Sequence, residues 1–351
     1  MGERIDSAIF APLDDKSQAL APPQLLQNGE LAYMMVHFYW MLVYSKNDKN
    51  ALPRLYQRSM YPDAPSPAHG HSVIRVGKDM RSPHELLPVK MCEGGNCLYY
   101  TVEGDPEGMS DDAQTYEVKL AGCDDFVFHM NSRGYRAIEG SSVDMKCHYF
   151  DKSIKLDGNS AMGTDYLLNF GYVEGTIDGE EVYGVGGCEF AFVTFTKMMT
   201  MSAYEVPPGQ FYQLCGRCED GSWDICHVTL KQVDDGTPPA HALFWNTKDP
   251  ENWVSSYDVK FHADWEKVPY VKEDDPTMQP KNIVIKFADK TVHVEPKWAF
   301  RGFADPVDAE VGFSNGTGDF YEGDTPYAHD IALAMFEMQH ITNENIPQND
   351  F

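Results

Sequence analysis

Two carboxylates and a phenol lie close together in a glycine-rich stretch near the middle of the chain. Glu174, Tyr183 and Glu189 belong to residues 170–195, FGYVEGTIDGEEVYGVGGCEFAFVTF. Asp178-Gly179 separates two alternating runs and favours a type I′ turn, since both of its central residues need positive φ. A hairpin centred there pairs Glu174 with Tyr183 and places Glu189 on the same face. Carboxylates in unlike environments can divide acid and base catalysis, and the alternative is a charged, solvated surface.

The same turn predicts a register and a buried face. Ile177 is expected opposite Glu180, and Tyr172 opposite Val185. The apolar face is expected to be buried, and the polar face is either a surface or the polar lining of a cavity. The apolar face consists of Val173, Ile177, Val182, Cys188, Phe190 and Phe192.

An aromatic run near the start of the chain carries a second candidate set. In residues 31–44, LAYMMVHFYWMLVY, the alternation puts His37 and Tyr39 on one face of a strand and Trp40 on the other. Both faces are apolar enough to be buried. An imidazole and hydroxyls on an apolar face are typical of a ligand pocket, and the alternative is a core histidine in ordinary aromatic packing. We predict that the catalytic residues are His37, Tyr39, Glu174 and Glu189, and that the substrate-binding residues are Trp40, Tyr183, Trp245 and Trp298.

The cysteines include one cluster with the chemistry of a zinc site, Cys215-x-x-Cys218 followed by Cys226-His227. If Asp220-Gly221 forms a hairpin turn, Cys215 lies opposite Cys226 with the Cα atoms about 5.5 Å apart, so a disulfide is geometrically conceivable. Adjacent Cys226 and His227 would point to opposite faces and could not easily share a metal ion. Free structural thiols, a disulfide, structural zinc and a redox dithiol all stay open, with thiols or a disulfide favoured.

Other ligand and cofactor motifs are lacking or incomplete. His69-Gly-His71, with His84 further on, supplies too few ligands for zinc and lies in a proline-rich, solvated stretch. The sequence has no Gly-x-Gly-x-x-Gly fingerprint, no Walker loop, no Gly-x-Ser-x-Gly elbow and no His-Glu-x-x-His motif. We therefore predict that the protein uses no cofactor and that its catalytic site holds no metal.

Composition narrows the range of partners. The chain has 351 residues and a formal net charge of −26, with 28 lysine and arginine residues that form no cluster. This charge disfavours nucleic acid and anionic membranes as partners, since both attract concentrated positive charge. Residues 1–28 lack a secretory signal, so we expect a cytoplasmic protein, or a secreted one if a leader was removed. The expected partner is a hydrophobic small molecule, and the oligomeric state is open.

Short alternating or aromatic runs, bounded by Gly, Pro, Asn and Asp, recur along most of the chain and predict an all-β fold. We expect two packed antiparallel sandwich or barrel lobes, residues 1–200 and residues 201–351. One C-terminal helix is also predicted, because Thr325-Pro326 can cap it and Ile331, Met335 and Met338 form a stripe at helical spacing.

The segment GYVEGTIDGEEVYGVGGCEF, together with the strand HFYWMLVY, resembles the two-lobed lipocalin-like superfamily of carotenoid hydratases, kievitone hydratase and cofactor-free fungal Diels-Alderases. The resemblance lies in residues 171–187, Gly-x-Val-x-Gly-x-Ile-Asp-Gly followed by a glycine-rich strand. The family often has His or Arg before Trp where this chain has Cys188-Glu189-Phe190. The paired tryptophans and tyrosine of the family's first strand are replaced by Phe38-Tyr39-Trp40. The resemblance therefore implies a fold and a substrate class, and it transfers no catalytic residue.

These observations favour an enzyme, either an isomerase or cyclase or a hydratase-type lyase. It would act without a cofactor on a hydrophobic unsaturated intermediate of natural-product biosynthesis, held in an apolar pocket. Two alternatives stay open. One is a non-catalytic lipocalin-like carrier of a hydrophobic molecule, and the other is a secreted carbohydrate-active jelly roll.

Overall fold

The structure is a computed structural model in which the described residues form β-strands and turns. None of these residues lies in an α-helix, which agrees with the predicted all-β class. No helix formed by them is therefore long and apolar enough to cross a bilayer. The described residues are 8–12, 24–25, 31–48, 51, 54–61, 70–76, 90–92, 97–102, 115–120, 123–131, 133–156, 165–194, 209–231, 240–267, 278–304 and 309–339.

The described strands form two compact units. The last strand of the first unit ends at residue 194, and the first strand of the second unit begins at residue 209. The first unit is one antiparallel sheet in the order β6-β5-β4-β3-β13-β12-β11-β10-β9-β8-β7, with β1 beside β11 and β2 beside β3. Its strands are β1 (Ala8–Pro12), β2 (Gln24–Leu25), β3 (Leu31–Ser45), β4 (Arg54–Tyr61), β5 (Gly70–Val76), β6 (Lys90–Cys92), β7 (Cys97–Val102), β8 (Thr115–Leu120), β9 (Phe126–Asn131), β10 (Gly134–Glu139), β11 (Val143–Leu156), β12 (Asp165–Ile177) and β13 (Glu180–Thr194).

The sheet of the first unit curls around an aromatic core. Tyr39 in β3 stacks on Phe128 in β9 with ring centroids 4.7 Å apart, although four strands separate β3 from β9 in the sheet order. Tyr135 in β10 reaches the same place and donates a hydrogen bond to the carbonyl of Trp40 at 3.1 Å. A flat sheet could not bring these strands into contact, since neighbouring strands are about 4.8 Å apart.

The central hairpin has the predicted turn and register. Asp178 and Gly179 have φ values of 52° and 76°, as a type I′ turn requires. Ile177 pairs with Glu180 and Tyr172 with Val185. The predicted apolar face is buried in the interior, except that the side chain of Phe192 lies outside what the structure describes. Asp178-Gly179 thus fixes which residues of β12 and β13 face the core.

Gly184 allows β13 to lie unusually close to β3. A Cβ atom built on Gly184 would be 1.9 Å from the carbonyl oxygen of Leu42, a backbone atom that cannot rotate away. We expect Gly184→Ala to lower the free energy of unfolding by about 3 kcal/mol, since overpacking of this kind displaces backbone. Urea unfolding of the full chain measures the change.

Gly179→Ala is the matched control for this substitution, since a Cβ there meets nothing within 4 Å and only the positive φ is strained. It should lower the stability by about 1–2 kcal/mol. If the two variants were equally stable, the close approach at Gly184 would not constrain the sheet.

The second unit is also one antiparallel sheet, in the order β17-β16-β15-β14-β23-β21-β20-β19-β18, with β22 beside β21. Its core contains the buried side chains of Tyr212, Leu214, Phe244 and Phe320. The strands are β14 (Gly209–Arg217), β15 (Trp223–Lys231), β16 (Ala240–Asn246), β17 (Asp249–Ser256), β18 (Val259–Lys267), β19 (Met278–Phe287), β20 (Lys290–Ala304), β21 (Ala309–Glu322), β22 (Thr325–Pro326) and β23 (Ile331–Gln339).

The predicted C-terminal helix is wrong, because its residues form β23. This strand lies in the middle of the sheet and pairs with β14 on one side and β21 on the other. Adjacent Leu333 and Ala334 are both buried, so both faces of the strand are covered. A strand covered on both faces is a nearly continuous apolar run, and periodicity alone does not separate such a run from a buried helix.

The register predicted for the cysteine hairpin is wrong by one residue. Leu214, and not Cys215, lies opposite Cys226, and Cys215 pairs with Ile225. The five residues between β14 and β15 form a longer turn than Asp220-Gly221 alone, closed by a bond from the amide of Cys218 to the carbonyl of Ser222. Because the shift places Cys215 and Cys226 on opposite faces, they cannot form a disulfide, and both are free thiols.

Candidate functional site

The strand β3 places His37 inside the first unit. The imidazole is fully buried, stacks on Phe190 with ring centroids 4.5 Å apart, and has Nε2 3.2 Å from Sγ of Cys188. Burial lowers the pKa of His37 to about 3, since charging the ring would require water that the interior lacks. His37 is therefore neutral at physiological pH, where one ring nitrogen donates and the other accepts a hydrogen bond.

Tyr39, on the same face, is part of a buried ion-pair network. Nε and Nη2 of Arg58 donate to the two carboxylate oxygens of Glu139 at 2.6 and 2.7 Å, and the Tyr39 hydroxyl donates to Oε1 at 2.8 Å. Burial acts to raise the pKa of Glu139, but the hydrogen bonds and charge of Arg58 outweigh it, so the net shift is downward. Glu139 is thus an ionised carboxylate inside the unit.

The two interior thiols are poor nucleophiles. Burial is the main cause that raises the pKa of Cys188 and of Cys147 well above the ordinary value. A thiol reacts as its thiolate, which these surroundings disfavour. Inside the unit His37 thus joins β3 to β13 through Cys188, and Tyr39 joins β3 to β10 through Glu139.

The opposite face of β3 and β13 carries a second set of buried side chains, which includes Trp40 and Glu189. The indole nitrogen of Trp40 donates a hydrogen bond to Oε1 of Glu189, and both side chains are buried. Trp40 also stacks near Phe170 with centroids 5.9 Å apart, and Phe150 meets Phe170 edge-on at 5.3 Å. A carboxylate that is 3% exposed thus lies beside Trp40, on the face of β13 opposite the interior core of the unit.

The structure does not bring Glu174 and Tyr183 to this group. Glu189 pairs across the hairpin with Leu168, six residues along β12 from Glu174, or about 20 Å. The Glu174 side chain is 48% exposed and pairs with Lys46 at 3.3 Å. Tyr183 is partly exposed, and its ring lies 6.1 Å from that of Tyr44. These two predicted residues are therefore part of a charged surface in the structure.

The predicted tryptophans of the second half of the chain lie in the second unit. Trp245 in β16 is fully buried, and the side chain of Trp298 lies outside what the structure describes. His69 and His84 lie outside the described residues, and the backbone alone of His71 is described, in β5.

Two histidines of the second unit are buried, and the sequence pattern marks only one of them, His227, as a possible metal ligand. His227 and His241 are each about 1–2% exposed, and their Nε2 atoms lie 3.2 Å from Oγ1 of Thr229 and 2.9 Å from Oγ of Ser255. Burial lowers the pKa of His227 to about 3 and that of His241 to about 4. His227 and Thr229 are two residues apart in an apolar strand, so they lie on the same face. This spacing is the sequence signal for the contact between them.

The fold, an all-β chain of two antiparallel units, has counterparts among solved structures. A proposed AttH protein from Nitrosomonas europaea matches with a TM-score of 0.50 at 13% identity, over 94% of this chain and 99% of that chain. Kievitone hydratase from Nectria haematococca matches with a TM-score of 0.42 at 9% identity, over 89% and 90% of the two chains. CghA matches with a TM-score of 0.42 at 9% identity, over 96% and 98%.

The match to the Nitrosomonas protein shows that this chain has the same fold, and at such low identity it shows the fold alone. No family model matches the chain, and no curated protein matches it.

Proposed function

We propose that this protein is a cofactor-independent enzyme of natural-product biosynthesis, and that it acts on a hydrophobic, unsaturated small molecule. The reaction would be a cyclisation, including the Diels-Alder type, an isomerisation, or a hydration or dehydration. The observation that carries the proposal is the buried carboxylate of Glu189, which accepts a hydrogen bond from Trp40, whose ring packs on Phe170. The resemblance of residues 171–187 to the lipocalin-like superfamily supports the substrate class.

The chemistry follows from these groups. Flat aromatic faces hold a conjugated chain in one conformer, which removes much of the orientational entropy from the barrier. The Glu189 carboxylate would take a proton from one carbon and return it to another in an isomerisation. In a hydration it would take a proton from the attacking water and deliver it to the other carbon of the double bond. In a cyclisation it would instead stabilise developing positive charge.

His37 and Tyr39 are assigned a positioning role in this proposal. His37 contacts Cys188, the residue next to Glu189, from the interior side of β13. Tyr39 precedes Trp40 and binds the Arg58–Glu139 pair. The interior contacts therefore fix the strands that carry Glu189 and Trp40 on the other face.

Two measurements test the proposal without a known substrate. Fluorescence of parinaric acid, a conjugated tetraene, reports binding to an aromatic site. Retinol, β-carotene and parinaric acid are then incubated with the full chain, and loss of the polyene absorbance with a new product in mass spectrometry reports cyclisation, isomerisation or hydration. A carrier would bind the probe and leave its absorbance unchanged.

Glu189→Gln separates catalysis from binding. We expect it to lower the rate of polyene conversion by about 100-fold or more, because general acid–base groups contribute 10²–10⁴-fold, while parinaric acid still binds. Glu174→Gln, an exposed carboxylate on the same strand pair, is the matched control and should stay within about twofold of the parent rate. Equal rates for all three proteins would refute the role of Glu189.

A further inference from the structure

Three turns of the second unit meet at one end of its sheet. Residues 218–222 connect β14 to β15, residues 247–248 connect β16 to β17, and residues 327–330 precede β23. Backbone bonds join them, from the amide of Thr247 to the carbonyl of Trp223 at 2.9 Å and from the amide of Asp330 to the carbonyl of Arg217 at 3.0 Å. The end of the sheet is thus one connected structure, outside the site proposed around Glu189.

Residues at two of these turns bring three polar groups to one point. Oδ2 of Asp224 lies 3.3 Å from Sγ of Cys218 and 2.8 Å from Nε2 of His329. The three ligand atoms all lie within 4.8 Å of one another. The side chains of Asp224 and His329 are 3% and 4% exposed, whereas Cys218 is partly exposed.

Two of the three separations are close to those around a tetrahedral metal ion, and the third, between Cys218 and His329, is within 4.8 Å and would shorten when a metal binds. Zinc binds thiolate sulfur at about 2.3 Å and imidazole nitrogen or carboxylate oxygen at about 2.0–2.1 Å, which puts the ligand atoms of a tetrahedron about 3.3–3.6 Å apart. Cys218 and Asp224 already have that spacing, and His329 would move back by about 0.5 Å from Asp224 to reach it. Thiolate and carboxylate together carry two negative charges, which balance a divalent cation.

The surroundings hold the ligands in place. Asn246 donates to the other oxygen of Asp224, Oδ1, at 2.9 Å, and so directs Oδ2 toward Cys218 and His329. Asp224 pairs across the sheet with Gly216 on one side and Asn246 on the other. A Cβ at Gly216 would be 2.5 Å from the His329 ring, so a glycine is needed for the imidazole to lie there.

Neighbouring side chains hold the imidazole ring of His329 in place. The ring is parallel to that of Tyr327, with an angle of 4° and centroids 6.1 Å apart, and meets Phe320 edge-on at 5.3 Å. The next residue, Asp330, binds Nε of Arg217 at 2.9 Å and so ties this segment to the end of β14. These contacts limit the rotation of the His329 ring and hold it beside Asp224.

We propose that Cys218, Asp224 and His329 bind a divalent transition-metal ion, with zinc as the natural occupant and Asn246 as the residue that orients Asp224. Metal binding releases the thiol proton of Cys218 to solvent. Three protein ligands leave a fourth position, on the exposed side of Cys218, for water. The proposed metal site contains no residue of the site around Glu189. A negative result for metal binding would therefore leave the proposed enzyme activity untouched, and the reverse also holds.

Metal titration of the full chain tests the proposal. After chelator treatment and desalting, the protein is incubated with zinc and its metal content is measured by mass spectrometry. Cobalt is then used as a probe, since it takes the same ligands and a bound thiolate gives a charge-transfer band in the near ultraviolet. We expect about one zinc per chain and a cobalt–thiolate band that Cys218→Ser abolishes.

The variants separate this site from other histidines and cysteines of the chain. Cys218→Ser and His329→Gln should each lose one equivalent of zinc, and Asn246→Ala should weaken binding by about 10–100-fold. His293→Gln, an exposed histidine of β20, is the control and should keep the metal. Circular dichroism confirms that each variant is folded. Zinc bound equally by Cys218→Ser and the parent, or no zinc bound by the parent, would overturn the proposal.

Discussion

Glu139→Ala is expected to destabilise the protein by about 3–5 kcal/mol, because it leaves the guanidinium of Arg58 buried without its carboxylate. Arg58 and Glu139 are 4% and 7% exposed, and two short hydrogen bonds join them. The alanine also removes the acceptor of the Tyr39 hydroxyl. Urea unfolding at neutral pH, followed by circular dichroism and tryptophan fluorescence, measures the loss.

A surface pair of the same geometry provides the control for Glu139→Ala. Nε and Nη2 of Arg136 donate to the two oxygens of Asp144 at 3.0 and 3.1 Å, in an exposed position on β10 and β11. Asp144→Ala should change the stability by less than about 1 kcal/mol. The double variant Arg58→Met with Glu139→Gln should recover part of the loss, since it buries no unpaired charge. Equal effects at Glu139 and Asp144 would mean that burial of the interior pair is unimportant.

Acid is expected to destabilise the second unit before its surface carboxylates titrate. The pKa values of His227 and His241 fall from 6.5 to about 3 and about 4 on folding. Below pH 6.5 the unfolded chain therefore binds protons that the folded chain excludes, so stability falls as the pH is lowered through this window. Between pH 7 and pH 5 each imidazole should lower the free energy of unfolding by about 2 kcal/mol.

Urea unfolding at pH 7, 6 and 5 checks this expectation. His227→Asn and His241→Asn remove one titrating group each, so the stability of either variant should depend less steeply on pH than that of the parent. If the parent were equally stable at pH 7 and pH 5, the two histidines would be accessible to protons in the folded state.

Local signals in the sequence were enough for the hairpin of β12 and β13. Asp178-Gly179 determines the turn, the turn determines the pairing, and the alternation of apolar residues then assigns Val173 and Cys188 to the core. His37 and Trp40 were likewise assigned to opposite, buried faces of β3. In these segments the turn residues and the hydrophobic pattern predict the same strand pairing and the same buried faces.

Residues that depend on distant strands could not be predicted in the same way. Arg58 and Glu139 meet because the sheet curls, and nothing near either residue indicates the other. Asp224 and His329 are 105 residues apart, and His329 is close to Asp224 only because β23 enters the sheet beside β14. The cysteine hairpin was predicted one residue out of register, since its turn uses five residues where two were assumed.

The central position of β23 also bears on how the second unit assembles during synthesis. β14 to β17 form a meander of neighbours, and so do β18 to β21, but β23 is the strand that joins the two halves. It is the last described strand in chain order, so until it emerges each half has an open edge with unpaired amides and carbonyls. Such edges associate readily with other chains, so we expect the nascent protein to be open to aggregation until β23 pairs with β14 and β21.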